Sequence, residues 1–249
     1  MKHDIVSHDE WIRARKALMS WEKQHTKERD ALAQARRDLP WCRIEKPYRF
    51  MTTDGEQTLA DLFAGKRQLF VKHMMQGPGQ DWQCVGCSLE IDHMTGILPH
   101  FQSHDVTYVV IARAPIEELE AVRRRMDWPV RMVSAYGTDF NYDMSVSFRP
   151  DTVKAGRATY NFQSYRGDME DLSGNSVFWR ERDAEIYLTY QLFGRGGEDS
   201  MGIYRLFDML PLGREEHGPN HSLTDWAKLR NRYDGDRRAE ASGAIATKS

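Results

Sequence analysis

Two cysteines three residues apart, in Cys84-Val85-Gly86-Cys87, are the residues of this sequence best suited to chemistry. On one helical turn, two such sulfurs lie side by side and can form a reversible disulfide. The apolar run Gln68 to Met75 precedes them, followed by the loop Gln76-Gly77-Pro78-Gly79-Gln80. A helical pattern then brings Cys87, Ile91, Met94 and Leu98 onto one face. The pair therefore falls where a strand hands over to a helix. Free backbone amides and the helix dipole favour a thiolate there. Cys84 comes first and is expected to be the more exposed and more acidic sulfur, hence the nucleophile. Cys87 lies one turn in, on the apolar face, and is expected to be buried and to resolve the mixed intermediate.

The same spacing serves other purposes. Free cysteines are often small buried hydrophobes, and a Cys-x-x-C can supply half of a zinc site. Nine histidines are present. His93 falls about half a turn out of phase with Cys84 on the same helix, and His100 and His104 lie more than ~20 Å along it. His73, at the end of the preceding strand, is the local candidate. Zinc or copper on Cys84, Cys87 and His73 is the alternative to a pair that works without a cofactor. The loop Gly194-Arg195-Gly196-Gly197 is a flexible turn that could also set the Arg195 guanidinium over an anion. Phe140-Asn141-Tyr142-Asp143 reads as a pocket lining or as a turn pinned by its amide and carboxylate. No Walker pattern, Gly-x-Gly-x-x-Gly or Gly-x-Ser-x-Gly occurs. Glu90-x-x-His93 is a single carboxylate–histidine pair, where a di-iron bundle needs two.

The elements that must position the pair can be read around it. Ser7-His8-Asp9-Glu10 has the form of a capping box. A polar helix should follow to about Asp38, stopped by Pro40, with a thin apolar stripe of Trp11, Leu18, Trp21 and Leu32. That stripe cannot make a core alone and suits a neighbouring surface, such as a second subunit in a homodimer. Val106 to Ala112 is nearly all apolar, as in a strand buried on both faces. Ile116 to Met126 reads as a helix and Val130 to Ser134 as a strand. Tyr136 to Gly174 gives no clear element. Ser176–Trp179 and Glu185–Phe193 form a hairpin about a polar turn, and a last core helix runs from about Ser200 to Leu210. Strand–helix alternation requires parallel pairing with helices covering the sheet. The result is an α/β fold with a central mixed sheet flanked by helices. Residues 1–40 form a helical extension and 41–235 the domain, with a polar tail, 236–249, expected to be disordered.

The 249 residues carry 35 basic and 37 acidic side chains, a net charge of −2 that offers nothing to a phosphate backbone, so no nucleic-acid partner is expected. No apolar run is long enough to span a bilayer, and Met1-Lys2-His3-Asp4 does not open a secretion signal. A cytoplasmic location follows, where thiols stay reduced. The expected partner is then a redox protein or a small thiol.

Several further stretches of the sequence combine into one pattern. They include Ser7-x-x-Glu10-Trp11, Leu39-Pro40-Trp41, Leu59-Ala60-Asp61-Leu62-Phe63, Gly77-Pro78-Gly79 and Cys84-x-x-Cys87-Ser88. Later come Ser103-His104-Asp105-Val106-Thr107, Arg113-Ala114-Pro115, Gly137-x-Asp139-Phe140-Asn141-Tyr142-Asp143, Ser176-Val177-Phe178, Gly194-Arg195-Gly196 and Pro211-Leu212-Gly213-Arg214. Together these stretches carry a resemblance, from about Ser7 to Tyr233, to the bacterial thioredoxin-like family catalogued as domain of unknown function 899 (DUF899). It implies a thioredoxin-like fold with an extra N-terminal helix, and no particular reaction. Thioredoxin itself has a tryptophan directly before its first cysteine, whereas Trp82 stands two residues before Cys84. Thioredoxin places a cis-proline where this chain has Gly174-Asn175-Ser176-Val177. Trp82, Ser176 and Arg195 are accordingly the candidate binding residues. The expected activity is thiol–disulfide or peroxide-type oxidoreduction, against a non-catalytic protein that binds a metal or a partner.

Overall fold

The Ser7 hydroxyl accepts the Glu10 N–H at 3.3 Å, and the Glu10 carboxylate accepts the Ser7 N–H at 2.9 Å. This reciprocal cap starts helix α1 (His8–Arg37) where the sequence places it. Asp9 and Glu10 in the first turn and Arg36 and Arg37 in the last complement the helix dipole. The helix buries none of its side chains. The computed structural model describes residues 3–182 and 184–233, so the expected disorder of 236–249 lies outside the described residues. The chain divides into two units, residues 1–41 and Cys42 onward. No helix among the described residues is long and apolar enough to cross a membrane.

The second unit begins with β1 (Cys42–Arg43) and the hairpin β2 (Arg49–Thr52) and β3 (Gly55–Thr58). A short helix α2 (Leu59–Leu62), capped by Thr58, leads to β4 (Gln68–His73). Then come α3 (Val85–Gln102), β5 (Val106–Ala112), α4 (Ile116–Arg125) and β6 (Arg131–Ser134). The stretch that gave no clear element resolves into short pieces: α5 (Phe140–Asp143), α6 (Pro150–Lys154), β7 (Thr159–Tyr160) and β8 (Gln163–Ser164). The hairpin β9 (Gly174–Arg180) and β10 (Ile186–Phe193) follows, then a 3-10 turn over Gly194–Ser200 and α7 (Gly202–Phe207).

The main sheet has the order β1-β10-β9-β4-β5-β6-β2-β3. Strands β4, β5 and β6 are parallel, and β9 runs antiparallel to both β4 and β10. Strand β5 is interior, as its unbroken apolar run requires. A strand, motif helix, parallel strand and late antiparallel hairpin together make the expected thioredoxin-like α/β fold with a mixed sheet.

The alternation of β4 divides two cores. Leu69 and Val71 face Phe50, Phe63, Phe140 and Phe178 on one side. Phe70 and Met74 face Cys87, Ile91, Met94 and Leu98 of α3 on the other, with Trp128 and Leu119 completing that layer. The period of two in a strand therefore decides which β4 side chains can reach the cysteines. Gly174 opens β9 because a side chain there would lie 2.9 Å from both Phe193 and Val146.

Candidate functional site

The cysteines are positioned by the loop between β4 and α3. Gln80 holds that loop closed: its amide donates to the Met75 carbonyl at 3.0 Å and the Trp82 carbonyl at 2.9 Å. Its side-chain oxygen accepts the Gly77 N–H at 3.1 Å. Gly77 passes close to a buried pair formed by Arg113 and Asp171, whose two hydrogen bonds are both 2.7 Å long. The loop delivers Cys84 to the N-cap of α3, where its sulfur accepts the Cys87 N–H at 3.3 Å. A sulfur thus takes the place of the usual capping oxygen. The Ser88 hydroxyl bonds the Cys84 carbonyl at 2.7 Å, and Gln83 bonds Ser88 at 2.8 Å.

Both cysteines are free thiols, Cys84 half-buried and Cys87 only 1% exposed. The expected difference in exposure is therefore present. The expected order of acidity is reversed. Cys84 is pushed well up, first by its hydrogen bond to Cys87 and then by burial. Cys87 is pulled down to about 6 by that same bond, against the penalty of burial. The Lys72 ammonium, the Met75 N–H and Ser173 assist. The two thiols act as one acid that gives up a first proton easily and a second with difficulty. Lys72 favours a thiolate on either sulfur and the first-turn Cys87 N–H favours one on Cys84, whereas the Met75 N–H and Ser173 favour it on Cys87.

Lys72 is the feature that no motif marks. It lies on the α3 face of β4, fully buried, and forms an ion pair with Glu90 of α3, which is 3% exposed. Lys72 also donates to Ser173 at 2.6 Å. Asn175 and Ser200 donate to the other Glu90 oxygen at 2.7 and 2.9 Å. Burial works against the Lys72 charge, but Glu90 and the cysteines outweigh it and raise its pKa. Tyr108, on the same face, is driven well above the ordinary phenol range by burial and then by the charges of Glu90 and Cys87. It stays protonated beside them. The available signals were a lysine inside an apolar strand and a glutamate one turn beyond Cys87 on the apolar helix face.

Three candidate residues do not join the cysteines. His73 occupies the opposite face of β4, where its ring lies 5.8 Å from Phe140 and its Nε2 is 2.8 Å from the Ser176 hydroxyl. It therefore cannot complete a zinc or copper site with Cys84 and Cys87. Among the described residues no cluster of three His, Cys, Asp or Glu side chains is arranged to hold a metal. Ser176 pairs across the sheet with Val71, is fully buried on the His73 side, and is not a binding residue beside the sulfurs. Arg195 points into solvent, with its side chain 80% exposed, and pairs with Glu198. The glycine turn that carries it instead packs Gly197 against Glu90. Trp82 is 44% exposed and remains beside the motif.

Burial pulls the His73 pKa down from 6.5 to about 3. Between these values the unfolded state binds a proton that the folded state refuses. Stability should therefore fall as pH drops from 6.5 toward 3, with a slope approaching about 1.4 kcal/mol per pH unit. Urea denaturation across that window should show a shallower acid limb in His73→Gln than in the parent. Equal limbs would mean that His73 does not govern acid stability.

Residues 1–233 match the family model described as "Bacterial protein of unknown function (DUF899)". The chain belongs to the DUF899 family. No curated protein matches it significantly in sequence. Solved structures similar to this DUF899 chain include a cysteine-to-serine mutant of PrxQ from Xylella fastidiosa, 11% identical with a TM-score of 0.42. That match covers 64% of this chain and 88% of the other. Peroxidoxin BcpB from Mycobacterium tuberculosis is 12% identical with a TM-score of 0.42, covering 65% and 93% respectively. A putative protein disulfide isomerase from Bacteroides thetaiotaomicron is 15% identical with a TM-score of 0.39, covering 74% and 100%. Similarities this low transfer no reaction to the DUF899 chain.

Proposed function

We propose that this chain is a dithiol oxidoreductase that uses Cys84 and Cys87 to reduce an S–S or O–O bond. The observation that carries the reading is a pair of free cysteines one helical turn apart, Cys84 at the helix N-cap and within reach and Cys87 buried behind it, with the buried Lys72–Glu90 ion pair on the same side of the sheet. Accessibility assigns the roles. Cys87 holds the resting thiolate but is sealed, whereas Cys84 can be reached. Passing the Cys84 proton to Cys87 exposes the attacking thiolate. With a disulfide substrate, Cys84 bonds one sulfur and the other half leaves as a thiolate. Cys87 then attacks Cys84, releases the second half and leaves a Cys84–Cys87 disulfide. With a peroxide, Cys84 takes one oxygen as a sulfenic acid, the remainder leaves as water or an alcohol, and condensation with Cys87 expels water. In both cases two electrons pass from the dithiol to the substrate. A dithiol or small thiol returns them, which suits a reducing compartment such as the cytoplasm.

The test is to treat reduced protein with hydrogen peroxide or 2-hydroxyethyl disulfide and locate the oxidised bond by peptide mass. Substrate consumption with dithiothreitol as the reductant is followed in parallel. One Cys84–Cys87 disulfide per chain and repeated turnover are expected. Two thiols that stay reduced against both oxidants would overturn the reading.

A further inference from the structure

A cavity of about 770 Å³ opens beside the cysteine motif, in the size range of small-molecule sites. Its walls include Gln83 and Val85, the two neighbours of Cys84 in the chain. Trp82 offers an aromatic surface, and Ala227 and Leu229 of the C-terminal segment add apolar wall. The charges around it are unequal: Arg125, Lys228 and Arg232 against Asp81. The whole chain carries a net charge of −2, so this basic rim is a local departure from its overall balance. A cleft lined with one sign of charge concentrates ligands of the other sign and speeds their association.

The rim is also tied to the reacting turn. Arg125 donates to Gln83 at 2.6 Å, Gln83 donates to Ser88 at 2.8 Å, and Ser88 donates to the Cys84 carbonyl at 2.7 Å. Across the same end of α3 lies the C-terminal segment. Leu223 sits where a side chain on Gly86 would meet it at 3.4 Å, and Arg230 pairs with Asp92 at 3.4 Å. This segment therefore packs on the motif and forms the second wall of the cavity.

Building on the dithiol reading, we infer that this cavity binds a small disulfide or thiol bearing carboxylates, with Arg125 and Arg232 holding the anionic groups and Trp82 the carbon chain. The bound disulfide is then attacked by Cys84, which forms a mixed disulfide and expels the other half as a thiolate. The two electrons come from the protein dithiol, and the oxidant is the bound disulfide itself.

The test compares, for two probes, the second-order rate at which full-length reduced protein attacks the probe, read as the thiol released. Oxidised glutathione carries carboxylates on both halves, and 2-hydroxyethyl disulfide is uncharged. The parent should prefer the anionic probe, and the preference should shrink as ionic strength rises. Arg125→Glu and Arg232→Glu should each lower the ratio of anionic to neutral rates by about tenfold. Both side chains are solvent-exposed, so the variants are expected to fold, and using a ratio removes any common loss of reactivity. A ratio unchanged in both variants would overturn the carboxylate site while leaving the dithiol reading intact. Failure of both probes to modify Cys84 would instead remove the dithiol reading on which this inference rests.

Discussion

Lys72→Met should destabilise the protein by about 3–5 kcal/mol, because it strands the Glu90 carboxylate in the core without its cation. Asn175 and Ser200 would still donate to Glu90, but two neutral hydrogen bonds do not replace an ammonium. The double variant Lys72→Met/Glu90→Gln should recover most of the loss, since no buried charge is left without its partner and an amide oxygen still accepts from Asn175 and Ser200. Urea denaturation of the three proteins measures both effects. The substitution also bears on the cysteines. Lys72 helps to hold Cys87 at about 6, so its removal should move the first thiol ionisation upward, as read by thiolate ultraviolet absorbance. If Lys72→Met is too unstable to titrate, the double variant provides the reading. Unchanged stability together with an unchanged thiol titration would show that the ion pair serves neither the core nor the sulfurs.

The same pair sets a stability window. The depressed Cys87 pKa means that the folded state binds fewer protons than the unfolded state between about 6 and the free-thiol value of ~8.5. Stability from this group is therefore present above the upper value and is lost as pH falls through about 6. Above the free-thiol range, Cys84 keeps its proton in the folded state and the sign reverses.

Substitution of the two cysteines should separate their roles by a large factor. Cys84→Ser should lower turnover by on the order of a thousandfold or more, since the reachable sulfur is gone. Cys87→Ser should also stop turnover, but after the first step, leaving a stable adduct between Cys84 and half of a disulfide substrate. Intact mass of each variant after exposure to 2-hydroxyethyl disulfide distinguishes them: an adduct on Cys87→Ser and none on Cys84→Ser. An adduct on Cys87 in the Cys84→Ser protein, formed at the parent rate, would transfer the attack to the more acidic sulfur.

Much of this arrangement follows from local sequence. The Ser7–Glu10 cap, the apolar run of β5 and the Gly-Pro-Gly loop before Cys84 are local signals. Their physics acts within a turn or along one strand. The alternation of strands and helices then limits β4, β5 and β6 to parallel pairing, with the late antiparallel hairpin beside them. Placement of Cys84 at a helix start and burial of Cys87 one turn in follow from the same periodicities.

The chemistry of the pair was decided elsewhere. Lys72 and Glu90 are 18 residues apart, and they meet because β4 and α3 pack face to face. Ser173, Asn175 and Ser200 enter from the far hairpin and its following turn. His73 and Lys72 are neighbours in the chain, yet strand alternation sends one away from the cysteines and the other toward them. Nothing in the apolar run marks which face α3 will cover. Proton affinity depends on burial and on charges brought close in space. The sequence by itself determined that Cys84 would open the helix with Cys87 one turn in; the Lys72 ammonium, which favours a thiolate on either sulfur, and the Met75 N–H and Ser173, which favour it on Cys87, are brought beside the pair only by tertiary packing.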